Sequence, residues 1–305
     1  MRVKRTRVRR GFTLAELLIT MTMLSVIGTV VAQMMMGQQR YYQRTVEQIT
    51  LRRELRTALS VLPAELRGLS SVGGDILNFT TSSITFRSTL GTSLVCAKTE
   101  TATIDLPPLN SARVATTSWY TTPVAGDTMF ALRYDSSGVK GEYWSGHAIT
   151  SVSSAANDCP ASPYLDAVMD VGKPRFRITV NPVLPESVVV SSPVRFTRTG
   201  RYALTPETSG NWYLSRSEYR SGAWSAAVPV SGPYMAPAAT GQSGMTLAFY
   251  DSTGALVSAV ANATRIARID VALRAQGLNS SGRYGTASTT VIDSLALSVA
   301  LRNRR

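Results

Sequence analysis

The chain has 305 residues, with 32 Lys or Arg against 19 Asp or Glu and a net charge of +13. One histidine and two cysteines are too few for a His- or Cys-rich metal centre, and with no clustered acids near that lone histidine no His-based triad is expected. No Gly-rich phosphate loop followed by Lys and Ser or Thr is present, so nucleotide-dependent chemistry has no motif to rest on.

The charge is unevenly placed. Arg2, Lys4, Arg5, Arg7, Arg9 and Arg10 precede Gly11 with no acid among them. From Phe12 to Met36 the only ionisable side chain is Glu16. At about 1.5 Å per residue this helical stretch spans about 37 Å, enough to cross a bilayer with some tilt. The basic end should stay cytoplasmic while the remainder is translocated. A carboxylate one turn into a membrane helix is costly unless it meets a partner, which makes Glu16 a functional candidate.

The run Arg9-Arg10-Gly11-Phe12-Thr13-Leu14-Ala15-Glu16-Leu17-Leu18 resembles the precursor motif of type IV pilins and type II secretion pseudopilins. The resemblance implies cleavage between Gly11 and Phe12 by a membrane prepilin peptidase, followed by N-methylation of Phe12. It also implies that Glu16 meets a Phe amino terminus during filament assembly, each charge offsetting the other's desolvation. The implied partners are the peptidase, other major and minor pilins contacted through the N-terminal helix, and inner-membrane lipid. Two blander readings compete. One is an ordinary secretory signal cut after Val30-Val31-Ala32, and the other is an uncleaved signal anchor. Neither accounts for Glu16 within Gly-Phe-Thr-Leu-x-Glu. The sequence departs from many major pilins in having no proline between Phe12 and Met36; Gly28 and Gly37 are the weak points instead. Met21, Met23, Met34, Met35 and Met36 supply flexible thioethers for helix or lipid contact.

Beyond the membrane segment, Tyr42, Val46, Ile49, Leu55, Leu59, Leu62, Leu66 and Leu69 recur at threes and fours, predicting one apolar stripe down a continuing helix. Pro63 should kink or interrupt that helix, with Gly68 and residues 70–74 ending it. The domain expectation is a cleaved leader at 1–11, a transmembrane helix at 12–36, its amphipathic continuation at 37–70 and a β-rich extracytoplasmic head at 71–305. Six of the 32 basic residues and none of the 19 acids lie in the leader, leaving a mature net charge of +7. That excess allows weak polyanion or DNA contact, with a solvated Arg-rich surface as the plainer reading.

After residue 75 the period changes from 3.6 to 2, with Val, Ile, Thr and aromatic runs between Gly, Ser, Pro and Asp turns. Strands are predicted near 76–80, 83–88, 93–104, 113–120, 128–134, 175–180, 187–190, 194–204, 211–219, 246–250, 264–274 and 287–301. Short helices are conceivable only at Ser151–Ala156 and Leu165–Val171. The fold class is therefore α+β, a long N-terminal helix packed on a mainly antiparallel β head. Tyr134-Asp135-Ser136-Ser137-Gly138 and Tyr250-Asp251-Ser252-Thr253-Gly254 read as tight turns, with a duplicated unit or a calcium loop as alternatives. Cys96 and Cys159, in a chain bound for an oxidising compartment, predict a disulfide, the alternative being two buried thiols.

Strand-like runs from Val194 to Leu204, Trp212 to Arg216, Leu247 to Asp251, Ile269 to Leu273 and Leu297 to Asn303 are similar to those of large minor pilins of the PilW type and J-type minor pseudopilins. His147, beside Gly146, reads as a turn or surface residue rather than a base. Trp119, Tyr120, Trp212, Tyr213 and Trp224 read as packing residues, a stacking platform being the alternative. No catalytic residues, cofactor or metal site is expected, and the chain reads as an enzyme's substrate rather than as an enzyme. The leading function is a minor pilin that primes or caps a type IV pilus. The alternatives are a J-type pseudopilin of type II secretion and a signal-anchored surface protein that binds polymer or DNA.

Overall fold

The computed structural model describes residues 11–113, 115–133, 143–154, 159, 164–166, 168–238, 242–277 and 291–301. The chain divides into two compact units, one ending at Thr50 and the other starting at Leu51. A single helix, α1 (Leu14–Arg67), belongs to both.

In the first unit none of the described residues is buried. The helix passes through Gly28 and Gly37 without a break, and its most apolar 18-residue window has a mean hydropathy of 2.0. It is long and apolar enough to cross a membrane. Its hydroxyls do not need water. Thr20, Thr22 and Ser25 donate to carbonyls three residues back and Thr29 to one four back, at 2.8–2.9 Å.

In the second unit α1 buries Leu51, Leu55, Ala58, Leu62, Pro63 and Leu66. The predicted stripe is buried over only part of its length. Tyr42, Val46 and Ile49 are exposed, burial starts at Leu51, and Leu59 is only partly buried. Pro63 does not interrupt the helix, which continues to Arg67. A proline removes one helical hydrogen bond at a cost of about 3 kcal/mol, and the burial of Leu62 and Leu66 on either side offsets it.

The remainder is one twisted, mainly antiparallel sheet. Its first strands are β1 (Ile76–Phe79), β2 (Ser83–Leu94), β3 (Ala97–Glu100), β4 (Thr103–Leu106) and β5 (Ser118–Trp119). Next come β6 (Thr128–Arg133), β7 (Tyr143–Ser153), β8 (Phe176–Asn181), β9 (Pro193–Pro206) and β10 (Trp212–Arg220). Last are β11 (Ala223–Trp224), β12 (Val228–Tyr234), β13 (Met245–Tyr250), β14 (Arg268–Gln276) and β15 (Ile292–Ala300). The main path runs β13-β14-β12-β10-β9-β6-β7-β8-β4-β3, with β2 on β9 and β15 on β14. At Gly91 a Cβ would stand 2.1 Å from the Ser118 carbonyl oxygen, so only glycine lets β5 cross the bulge in β2.

Among the described residues, two large apolar cores lie in this unit, beside a small third cluster around the cysteines. One joins the α1 leucines to Ile84, Phe86, Tyr202, Leu214, Phe249 and Ile269. The other gathers Leu90, Ile104, Met129, Ile149, Ile178 and Phe196.

Several predicted strands shift. The run 93–104 holds the end of β2 and then the hairpin of β3 and β4, the described part of 113–120 is strand only at β5, and 187–190 is turn and loop rather than strand. Residues 151–153 extend β7 instead of starting a helix, and the described part of 165–171 is a turn. The strands β7, β11 and β12 were not anticipated. Tyr134–Gly138, residues 155–156 and the Arg302-Asn303 ending lie outside the described residues.

Candidate functional site at the amino terminus

Gly11, Phe12 and Thr13 precede the first helical residue, Leu14, and Phe12 is 85% exposed. Around Gly11 a Cβ would meet nothing within 4 Å, so the fold itself does not require glycine there. Thr13 occupies the N-cap position. The Glu16 backbone N–H donates to Thr13 Oγ1 at 3.3 Å, while the Thr13 N–H and hydroxyl both donate to Glu16 Oε2 at 3.1 Å. This is a reciprocal capping box, which satisfies helix-end donors that lipid could not satisfy. The carboxylate also sits where the helix dipole favours negative charge.

Thr13 caps the helix. Its signal was present as Thr-x-x-Glu ahead of an apolar run. Phe12 is the residue immediately before the Thr13 N–H that Glu16 accepts.

The other candidate residues sit in the second unit. Cys96 and Cys159 are joined as a disulfide, their Cα atoms 5.3 Å apart, and they pack with Leu165. His147 is buried within β7 rather than lying at a turn or on the surface. Its Nδ1 donates to the Pro182 carbonyl at 2.8 Å, and Nε2 faces the Ser145 hydroxyl at 2.9 Å. With a carbonyl as its second partner the ring is a satisfied core polar group. Asp251 closes its own turn. Oδ1 accepts from the Thr253 N–H, the Thr253 hydroxyl and the Ala255 N–H, while Oδ2 faces Arg265. The Thr253 hydroxyl and then the backbone N–H donors aimed at that carboxylate hold its pKa below the usual range and fill the places a cation would need. No cluster of three or more His, Cys, Asp or Glu residues suited to a metal occurs among the described residues. Of the aromatic candidates, Trp119 packs edge-on against Phe176 and Phe196, Trp212 packs on the first core, and Arg201 covers Trp224.

Residues 6–32 match the family model described as the prokaryotic N-terminal methylation motif. Searches among curated proteins and solved structures found no match to the chain. The matched span contains Gly11, Phe12, Thr13 and Glu16 together with the apolar half-helix they introduce. The chain thus carries the signature of type IV pilins and pseudopilins, a mark of structural subunits rather than of enzymes.

Proposed function

We propose that this chain is a minor pilin, cut between Gly11 and Phe12 by prepilin peptidase, methylated at Phe12 and built into the priming or capping part of a type IV pilus. Before assembly it is a single-pass inner-membrane protein with its amino terminus cytoplasmic and its β head outside. One observation carries this reading. Glu16, the only acid in the apolar segment, folds back onto Thr13 at the helix start, the residue that follows the proposed new amino terminus. An ammonium and a carboxylate entering lipid together each lower the other's desolvation cost. Gly11 supports the same reading, because the fold gives no reason of its own for a glycine there.

Amino-terminal mass spectrometry of the membrane-extracted protein is the test, and the expected first residue is N-methylated Phe12. Replacing Gly11 with a bulky residue should leave the uncut chain. A mature protein that starts at Gln33, or an intact Met1, would overturn the proposal.

A further inference from the structure

The proposed cut between Gly11 and Phe12 lies just outside α1, and we propose that Thr13 is the positioning residue that keeps it there. The inference rests on the pilin reading and adds a conformational requirement for the cleavage step. Gly11, Phe12 and Thr13 are not helical, and Leu14 is the first helical residue. The Thr13 carbonyl accepts the Leu17 N–H at 3.2 Å, the bond that opens the helix. The side chain then acts in both directions. Oγ1 accepts the Glu16 N–H at 3.3 Å, while the hydroxyl and the Thr13 N–H both donate to Glu16 Oε2 at 3.1 Å. These bonds fix the helix start at one residue.

The residues around this cap would otherwise let the helix run further back. Leu14-Ala15-Glu16-Leu17-Leu18 is made of strong helix formers. An apolar surrounding favours backbone groups paired within the helix, which pushes its start toward the leader. Phe12 is 85% exposed, so packing does not hold it in an extended form. The next good cap is Gly11, since glycine ranks beside threonine at that position. A start at Gly11 would draw Phe12 and Thr13 into the first turn, and the Gly11 carbonyl would then accept the Ala15 N–H. That carbonyl is the one a peptidase must attack. A peptide held as an extended strand is bound through the very backbone groups that a helix engages for itself. Two helix starts therefore compete, one with the scissile bond open and one with it closed. The Thr13 side chain selects the first.

Loss of a threonine cap shifts such a balance about fivefold. Alanine's higher helix propensity, at a position now inside the first turn, adds about threefold. The shift acts on the free substrate alone, because the bound segment is extended in either variant. It should therefore appear in KM and leave kcat unchanged.

The test is cleavage of the full-length chain in detergent by purified prepilin peptidase, with removal of residues 1–11 followed by mass spectrometry. Thr13→Ala should raise KM by roughly threefold or more at constant kcat, less than the balance itself because the open form predominates at the outset. Thr13→Ser keeps a cap and should restore the KM of the unmodified chain. Leu14→Pro, added to Thr13→Ala, supplies no hydroxyl. Proline is tolerated at the first helical position and disfavours helix in the residue before it, so this double variant should also restore KM. A fall in kcat for Thr13→Ala, an unchanged KM, or a double variant no better than Thr13→Ala would each overturn the proposal and leave the pilin reading in place. No cut between Gly11 and Phe12 in the unmodified chain would overturn both.

Discussion

Glu16 takes part in two interactions that one substitution can separate. In the isolated subunit it closes the capping box with Thr13, and in the proposed filament it would also meet the ammonium of a processed Phe12. The cap is worth about 1 kcal/mol, so Thr13→Ala should reduce incorporation about fivefold at most. An ammonium–carboxylate pair at about 4 Å and an effective dielectric of about 20 is worth about 4 kcal/mol. Even a third of that is about tenfold in an equilibrium, and the whole is about a thousandfold. Glu16→Gln is the informative change, because Gln serves in a capping box as Glu does but carries no charge. The variant should insert and be cleaved normally, since the helix becomes more apolar. It should nonetheless enter filaments as poorly as Glu16→Ala. The measurement is the amount of processed protein in sheared filaments relative to the processed pool left in the membrane. If Glu16→Gln enters like the unmodified chain while Glu16→Ala does not, the residue acts through its cap and the charge argument fails.

Cys159→Ser should lower the stability of the head by about 4 kcal/mol, the chain-entropy value for a loop of this size, and Cys96 should then react with a thiol reagent that leaves the unreduced, unmodified protein unlabelled. Asp170 is buried, which raises its pKa, but bonds from Lys173, Ser111 and the Asp166 and Ala112 N–H groups outweigh burial and hold it well below the usual carboxylate range. Its contribution is therefore present above the unfolded-state pKa of about 4 and fades as pH falls below it, so Asp170→Asn should cost about 2 kcal/mol in thermal unfolding at neutral pH and less in acid; a gap that does not change with pH would contradict the assignment. Leu66→Ala removes a side chain with no exposure in the first core and should cost about 3 kcal/mol, or about 6–12 °C in Tm.

The amino-terminal motif and the long helix were legible because their chemistry is local: an acid in an apolar run, a three-four repeat, a glycine after the last turn. Misreadings arose where tertiary contacts decide. Tyr42, Val46 and Ile49 keep the spacing of Leu55 and Leu62, yet periodicity alone does not say where burial begins. The hairpin between β3 and β4 turns at Thr101 and Ala102, without Gly, Pro or Asn, so a single strand was the natural reading. Val188-Val189-Val190 has strand propensity, but the chain turns there, with Val188 buried in the second core and its carbonyl facing Lys98. Pro229 and Pro233 lower the strand propensity of β12. The structure accommodates them because β12 meets β10 with register shifts and β14 at a single pair. The Cys96–Cys159 bond, by contrast, was legible despite a separation of 63 residues, because the chain has only two cysteines and an oxidising destination was expected.

The arginine bias of the head has a physical account in the same contacts. Arg177 grips Asp105 through two bonds of 2.7 and 2.9 Å, Arg195 grips Asp75 at 2.9 and 3.2 Å, and Arg198 grips Asp127 at 2.7 and 2.8 Å. All three aspartates are buried. A buried carboxylate needs several donors at fixed angles, and a guanidinium supplies two in one planar fork where an ammonium supplies a single point of charge. The Asp127–Arg198 pair is then extended by alternation of charge. Arg198 also reaches Glu218 at 3.3 Å, Glu218 meets Arg216, and Arg216 lies 3.4 Å from Glu65 on α1. Each ion stands between opposite charges, which is the condition under which burying it costs least. These pairs tie β9 and β10 to the helix, and because each joins one positive to one negative charge they leave the mature net charge of +7 unchanged.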